Sequence, residues 1–594
     1  MKLNIETLQD TFKFGYEQFE ESRAESNLVM DLYHNRQYNQ DQLNILARRG
    51  QPAETFNVIK TFSRLLLGYY STIVNTVKIV PKQQDDIVTA GVLNDIVDYI
   101  FKQNNFVAEA EKIKLDLLLN GIMCSYVDVE ELTETDEFNR PKFKINMQHV
   151  PIYEIVLDPM SMRDDYSDAR FIHRFKWVSE ETIAKIFGKA KLKELHEYEN
   201  TLNQNDTEFD KYFRDRFVGY HAQYNAYLLV HSIMVDDDNK IWSVYWAGDY
   251  ILDKREITYR EVKNPYRIYR LHNNNVKAEY YGIFRDIIET QHAMNQALIK
   301  LQLLANAQKV FVQESSIDNL KEFSDAVNRV NAVIPVKDLA GVKVENLSQD
   351  VLEQYKIIDA ALMRIQRILS VNDSFLGMAY ASDSGSKVEI QQRASITALR
   401  YLTLAIEQFY RLLGWDIVCL IKQYYTFHDV IRIADQSNSV RWLEINRPQL
   451  DPMTGGPVME VYRDPGSGKP AADENGQIIL SPMPTKETDI EFTEADIEVE
   501  SVAYNDEIDK NRLIIEQFLS GPIGQMLSQA NPIGFFQISA LAMKETKTKY
   551  SMEIASILEQ TAMGMSQMQQ QMMATGNAVG QERPKSTSNA TSGK

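Results

Sequence analysis

A chain of 594 residues holds about four domain-sized units at roughly 150 residues each, and its 44% hydrophobic and 25% charged residues are an ordinary globular balance. Its net charge of −19 argues against a protein that grips nucleic acid by the phosphates, since such binders gain affinity when Lys and Arg displace counterions. Two distant cysteines, Cys124 and Cys419, give neither zinc spacing nor a disulfide framework, which suits a reducing cytosol. The Met-Lys-Leu-Asn-Ile-Glu start lacks the apolar core of a signal peptide, and no run reaches the ~18 apolar residues of a membrane helix. A soluble protein that is not exported is expected.

The charge is uneven. Between Ala472 and Asp509 twelve acidic residues face one lysine, a net of −11, which leaves −8 for the other 556 residues. A solvated face explains such a segment without any partner.

In chain order, a helical region is predicted from Asn4 to Arg49 and is broken by Gln51-Pro52. An apolar helix follows over Phe56–Thr72, then a strand over Thr76–Pro81 that ends at a proline. Helix returns over Val88–Asn120 and stops at Asn120-Gly121. A strand is predicted over Met123–Val129, and short strands over Lys142–Val178 with a turn at Asp158-Pro159. Tyr220–Arg270 reads as a strand meander with turns at Asp236–Asn239 and Ala247–Asp249. A helix over Tyr281–Asn306 leads into a compact unit: strand Val310–Gln313, helix Ser316–Val330, and strands Ala332–Val336 and Val342–Glu345.

The next helix is the most regular. Val351, Tyr355, Ile358, Leu362, Ile365 and Leu369 alternate spacings of four and three, the seam of a helix packed along a neighbour. A Gly/Ser-rich loop, Ser370–Lys387, precedes Val388–Tyr425, which could form one helix ~57 Å long at 1.5 Å per residue. Its apolar residues lie nearly all round, so partners on several sides are expected, and oligomer contacts would supply them. Val430–Ile445 and Asp489–Val502 read as strands about a turn-rich hairpin, Pro448–Pro484. Asp506–Gln571 is predicted helical, and Ala574–Lys594, small and polar, disordered.

Chemical motifs fail on their spacing. Pro465-Gly-Ser-Gly-Lys469 lacks the first glycine and the hydroxyl residue of a phosphate loop, because Arg463 and Pro470 stand there; a hairpin tip is expected. Asp236–Lys240 opens like a calcium loop, but Ile241 and Ala247 occupy the glycine and glutamate positions, so a surface turn is expected. His428-Asp429 has no further ligands nearby, and His196-Glu197 lacks a second histidine at zincin spacing. No catalytic residue, metal or cofactor is expected.

Several segments resemble the portal proteins of short-tailed, podovirus-type phages. They are Tyr33-His34-Asn35-Arg36-Gln37-Tyr38 with Asp41-Gln42, Arg48-Arg49-Gly50-Gln51-Pro52, Asn57, Gly68 and Val80-Pro81. Asp116–Gly121 with Ser125–Val129 is a second stretch. Val150-Pro151, Asp158-Pro159 and Ser167–Arg170 form a third. Tyr281-Gly282 with Gln291 and Asn295 is the fourth, and Asn372–Gly377 the last. Their order along the chain is the specific signal.

The resemblance implies an α+β, predominantly helical subunit with the phage portal fold of wing, stem, clip and crown, assembled as a dodecameric ring at one capsid vertex. It implies the following division: wing 1–279, stem helices 280–307 and 350–369 about a clip 308–349, tunnel loop 370–387, long helix 388–425, wing strands and hairpin 426–505, crown or barrel helices 506–573, and tail 574–594. The implied function is a conduit for packaging and ejecting the genome. The implied partners are further copies of itself, the major capsid protein, the terminase large subunit, head–tail adaptor and tail proteins, and passing double-stranded DNA, with no membrane. Assembly in the host cytoplasm would deliver it to the virion.

A lumen that is mostly acidic repels the duplex, while a few basic rings centre it. Ser384, Gly385, Ser386 and Lys387, with Lys300, Lys309, Arg364 and Arg367, are the candidate channel residues; surface charge or subunit salt bridges are the plainer role for the basic ones. A different connector or collar protein of the virion would lack two long helices flanking a small domain. An enzyme would show a pocket of converging carboxylates or histidines.

Overall fold

The computed structural model describes residues 3–545, except 84–85, 136–140, 203–225, 263, 273, 275, 307–308, 314–315, 318, 328–335, 337, 346–347, 376–384, 427–428, 435–439, 448, 450–458, 462–479, 485–489, 492, 504–516 and 518–520; it adds 557–558 and 560–565. With 55% in helix and 22% in strand, the chain is mixed and mainly helical. It forms two compact units, one of residues 1–71, 77–426 and 490–499, the other of 72–76, 427–489 and 500–594.

The chain begins with α1 (Ile5–Gln18), α2 (Glu20–Tyr33), α3 (Gln40–Arg48) and α4 (Val58–Ser71), followed by β1 (Ile73–Pro81), α5 (Ile87–Gln103) and α6 (Phe106–Asn120). The helix expected over Asn4–Arg49 is thus three helices. Asn39 starts the third with a reciprocal cap to Gln42, and Asn35 turns the chain before it at φ 66°. The helix expected over Val88–Asn120 is two, because Asn105 takes the left-handed conformation (φ 48°), which asparagine tolerates.

Next come β2 (Ile122–Thr135), β3 (Pro141–His149), β4 (Ile155–Leu157), β5 (Phe171–Ser179), α7 (Glu180–Phe187), α8 (Lys189–Leu202), β6 (Ala226–Val235), β7 (Ile241–Ala247), β8 (Tyr250–Glu256) and β9 (Tyr266–Arg270). β4 to β8 form an antiparallel sheet in sequential order, whereas β9 leaves the expected meander and pairs with β2 in a second sheet, β3-β2-β9. Strand alternation gives the five-stranded sheet two apolar faces. Val156, Phe171, Val230, Met234 and Trp246 pack on Leu8, Phe12 and Tyr16 of α1. Ile155, Leu157, Ile172 and Ile233 pack on Ile122, Cys124 and Ile268 of the second sheet. Asp236 closes the β6–β7 turn, accepting from the Asp238 and Lys240 amides and from Trp242 Nε1.

Two histidines lie inside this sheet. His173 Nδ1 meets Ser232 Oγ at 2.7 Å, and His231 joins Tyr266 OH at 2.6 Å and Ser243 Oγ at 2.9 Å.

The first unit continues with α9 (Ile288–Asn306), β10 (Lys309–Val312), α10 (Leu320–Val327), β11 (Val342–Glu345), α11 (Ser348–Ile368), α12 (Gly385–Ala398) and α13 (Arg400–Tyr424). β10 and β11 pair antiparallel, with Lys309 opposite Glu345, and α9 packs along α11. The helix expected over Val388–Tyr425 is two helices, divided at Leu399. The second unit carries the hairpin β12 (Asp429–Ala434)–β13 (Val440–Ile445), where one strand was expected, and β14 (Met459–Val461)–β15 (Leu480–Pro484). β16 (Ala495–Ala503) pairs with β1, and α14 (Pro522–Ala530) and α15 (Pro532–Glu545) follow. The strand expected over Ala332–Val336, the phosphate-loop-like Pro465–Lys469 and the tail 574–594 lie outside the described residues, or nearly so. Among the described residues no helix is long and apolar enough to cross a membrane.

Buried amide side chains fix α9. Asn295 Nδ2 donates to Gln37 Oε1 (2.9 Å), and Gln291 Nε2 donates to Asn295 Oδ1 (3.1 Å) and to the Phe56 carbonyl (2.7 Å). Gln291 Oε1 accepts from the Val58 amide, and Asn295 Oδ1 from the Phe56 amide. Gln37 Nε2 and Asn57 Nδ2 both reach the Leu32 carbonyl at the end of α2. Ahead of this cluster the backbone at Gly121 and Gly282 closes tightly. A Cβ on Gly282 would lie 2.2 Å from the Leu119 carbonyl oxygen, and one on Gly121, which sits at φ +71°, 1.7 Å from that of Tyr281. Asp158 binds the Arg170 guanidinium at 3.0 and 3.2 Å and the Arg170 amide at 3.0 Å, closing the β4–β5 connection.

Replacing Gln291 by Leu should remove its bonds to the Val58 amide, the Phe56 carbonyl and Asn295 Oδ1, leaving that amide and carbonyl only their 3.0 Å link to each other, at a net cost of about 0.5–1.5 kcal/mol per lost bond. A lowered thermal midpoint with an unchanged helical signal checks this. Burial holds both His173 and His231 at a pKa of about 3, against ~6.5 in an unfolded chain. Between those values the unfolded chain binds protons that the folded chain does not. Stability should therefore fall as pH drops from 6.5 toward 3, by about 1.4 kcal/mol per pH unit for each histidine. Thermal midpoints from pH 7 to pH 4 check the slope, and His231→Gln should make it shallower.

Candidate functional site

The candidate basic residues divide by element. Lys300 is exposed on α9, Arg364 and Arg367 are exposed on α11, and Lys387 is exposed on α12. Arg364 and Arg367 are three apart and so share a helix face. Lys309 starts β10 opposite Glu345. Ser384 lies outside the described residues.

Gly385, Ser386 and Lys387, expected in a loop, form the first turn of α12. The loop expected over Ser370–Lys387 therefore ends before Gly385, and its residues 376–384 lie outside the described residues. The sequence Gly-Ser-Lys carries no proline, and the helical run after it is long enough to absorb its first turn. Arg393 on α12 and Arg400 at the start of α13 are also exposed.

The beginning of the connection is tied down. Ser370 turns the chain at φ 57°, and Val371 N donates back to the Gln366 carbonyl at 2.9 Å. Asn372 Oδ1 accepts from Phe375 N (2.9 Å), while its Nδ2 donates to the Gln391 carbonyl (2.6 Å). Ser374 Oγ meets Gln391 Oε1 at 2.5 Å, and Gln392 Nε2 returns to the Ser374 carbonyl at 3.0 Å. Gln366 Nε2 holds Asp373 Oδ1 at 2.9 Å, and the Phe375 ring stands edge-on to Tyr69 at 5.4 Å. The Asn372–Phe375 segment thus clasps the end of α11 to the middle of α12.

α13 differs from expectation in its surroundings. Leu402, Phe409, Leu413, Ile417 and Ile421 are buried within one chain, against α5 and the β2–β3–β9 sheet. Asp416 on this helix receives Arg267 of β9 through two bonds, at 2.7 and 2.5 Å. One side of the helix is thus covered within the chain. Tyr401, Leu404 and Trp415 of this helix stay exposed, as do Leu352, Tyr355 and Met363 of α11 at 60%, 52% and 51%, while Ile365 and Leu369 are buried.

A cleft of about 610 Å³ gathers Glu109, Lys112, His149, Glu154, Arg174 and Lys176. Its carboxylates and histidine are engaged in ties between elements. Glu109 accepts from Lys112 Nζ and from the His149 amide, Glu154 is paired with Arg174, and His149 Nε2 meets Asp116 Oδ2 at 2.6 Å. Burial raises the Asp116 carboxyl against the pull of that histidine. These pairs join α6 to β3 and the β4 connection to β5. Among the described residues, no three His, Cys, Asp or Glu side chains are grouped as metal ligands.

Comparison with known proteins gives the same direction. The portal protein of Helicobacter pylori bacteriophage KHP30 is similar, with 22% identity over 448 residues, 75% of this chain and 70% of that protein. The family described as Phage P22-like portal protein matches residues 9–592, nearly the whole length, which includes the buried amide cluster, the glycine contact and the clasp at Asn372. The chain belongs to the P22-like phage portal protein family.

Proposed function

We propose that this portal protein assembles as a closed ring of twelve subunits at one capsid vertex and conducts the genome in packaging and ejection. In this reading α9 and α11 are the stem, the β10–α10–β11 segment is the clip, and 370–387 is the tunnel connection. The clip end receives the terminase motor during packaging and adaptor and tail proteins afterwards. Residues 1–279 and 426–505 form the wing, and the helices after 506 form the crown. Its role is structural, and the work of translocation belongs to the separate motor.

The observation that carries the ring is the apolar stripe of α11. A helix that packs along α9 and still leaves Leu352, Tyr355 and Met363 open to solvent has surface that a neighbouring copy would cover. The acidic balance of −19 supports a conduit over a DNA-gripping protein, since DNA must move through without being held. Lys300, Lys309, Arg364, Arg367 and Lys387, each repeated around the ring, would centre the duplex by its backbone without reading bases. Ser384, Gly385 and Ser386 would accompany Lys387 at the constriction.

Native mass spectrometry should find a species near 822 kDa, about twelve times the 68.5 kDa of one chain, with neighbouring ring sizes as minor forms. Monomer alone at every concentration and salt would refute the ring. Lys387→Glu should reduce packaging or retention of the genome while the ring mass is unchanged, and the effect should weaken as salt is raised. Equal packaging by both proteins, or a ring structure with Lys387 on its outer rim, would remove that residue from the channel.

A further inference from the structure

The division between α12 and α13 at Leu399 has no sequence breaker. Ser395-Ile-Thr-Ala-Leu399-Arg-Tyr-Leu-Thr403 contains neither proline nor glycine. Sharp breaks without those residues arise where a foreign group enters the ladder of carbonyls and amides. Leu399 N still donates to the Ser395 carbonyl at 3.0 Å, so the ladder is intact up to that residue. Its carbonyl then accepts from Leu402 N at 3.1 Å, a three-residue link instead of the four-residue link of an α-helix.

The foreign group is a tyrosine hydroxyl. Tyr70, 1% exposed near the end of α4, donates its OH to the Leu399 carbonyl at 3.0 Å, and the Thr403 side chain hydrogen-bonds the same hydroxyl. It therefore stands between the two residues that a continuous helix would join. Burial pushes the phenol far above its ordinary pKa, so it remains a donor. Tyr70 is itself held from behind: buried Lys114 of α6 donates Nζ to the Tyr70 carbonyl at 2.8 Å, satisfying one of the open carbonyls that end α4. Its ring also stands against Tyr69, whose ring meets Phe375 of the clasp.

We propose that Tyr70 is a positioning residue: its hydroxyl, wedged between Leu399 and Thr403, fixes the break and so sets the direction of α12 and the place of Lys387. Lys387 lies eleven residues before the end of α12, roughly 17 Å at 1.5 Å per residue, so a small change of direction at Leu399 is magnified there. The structural part stands on this geometry alone. Its effect on DNA rests on the channel reading of Lys387 given above.

Hydrogen–deuterium exchange of the full-length protein tests the wedge. Tyr70→Phe keeps the ring and removes only the hydroxyl. Amides 399–403 should then exchange about tenfold more slowly, as the Thr403 amide closes onto the Leu399 carbonyl and the two helices join. Unchanged exchange in a folded Tyr70→Phe protein overturns the proposal. Should that variant fail to fold, the unaltered protein decides in its place: the Thr403 amide should exchange about tenfold faster than the amides one turn further along α13, and equal protection overturns the proposal.

Genome packaging by Tyr70→Phe, Lys387→Glu and the double variant tests the action through Lys387. The two effects should be non-additive, with the Lys387 change costing less once the wedge is gone. Additive losses overturn the positioning role. Slower exchange combined with a Lys387→Glu protein that packages normally leaves the wedge standing and removes the channel reading instead.

Discussion

Much of the first unit depends on the requirement that a side-chain amide taken out of water must have its donors and acceptors met. Gln291 and Asn295 carry no charge, so they can be buried at modest cost, but each exposes both a donor and an acceptor to the interior. The solution is reciprocal: they bind each other, the Gln37 side chain, and the backbone where α4 begins. One cluster thereby fixes the end of α2, the entry to α4 and the first turns of α9, segments more than two hundred residues apart in sequence. Apolar packing tolerates sliding in a way that this cluster does not. Everything that follows α9 in this unit inherits its origin from that point.

The sequence was legible where periodicity or a turn residue announced the element. The α6 stop at Gly121 and the pairing end of β11 stood close to where alternation and composition put them, whereas the α11 seam is split, with Ile365 and Leu369 buried and Tyr355 exposed. Helix interruptions were not legible when they came from elsewhere in the chain. Leu399 looks like an ordinary helix residue, and the group that interrupts the ladder there is 329 positions away. The departure of β9 from its neighbours was hidden for the same reason, because alternation reports a buried face and not which strand lies alongside.

The residues that carried the family resemblance turn out to have physical work in the described structure. Asn57, Gln291 and Asn295 belong to the amide cluster. Gly121 and Gly282 permit backbone contact that a methyl group would prevent. Asp158 and Arg170 close one connection, and Asn372 and Ser374 another. All of these contacts tie one element of the chain to another. The basic side chains were harder to place from sequence, because exposure on a helix says nothing about what the surface faces until the surrounding copies are known.

The self-sufficiency of α13 has a consequence for the order of events. The buried side of this helix is covered by its own chain and its buried carboxylate is matched by Arg267, so only Tyr401, Leu404 and Trp415 remain as exposed large apolar residues on it. Folding of the first unit can then be complete before subunits meet. In the ring proposed above, association would then be a meeting of finished surfaces governed by concentration, and the number of copies could vary without any chain being left half-folded. A subunit released from that ring would keep its fold, because its own core would leave with it.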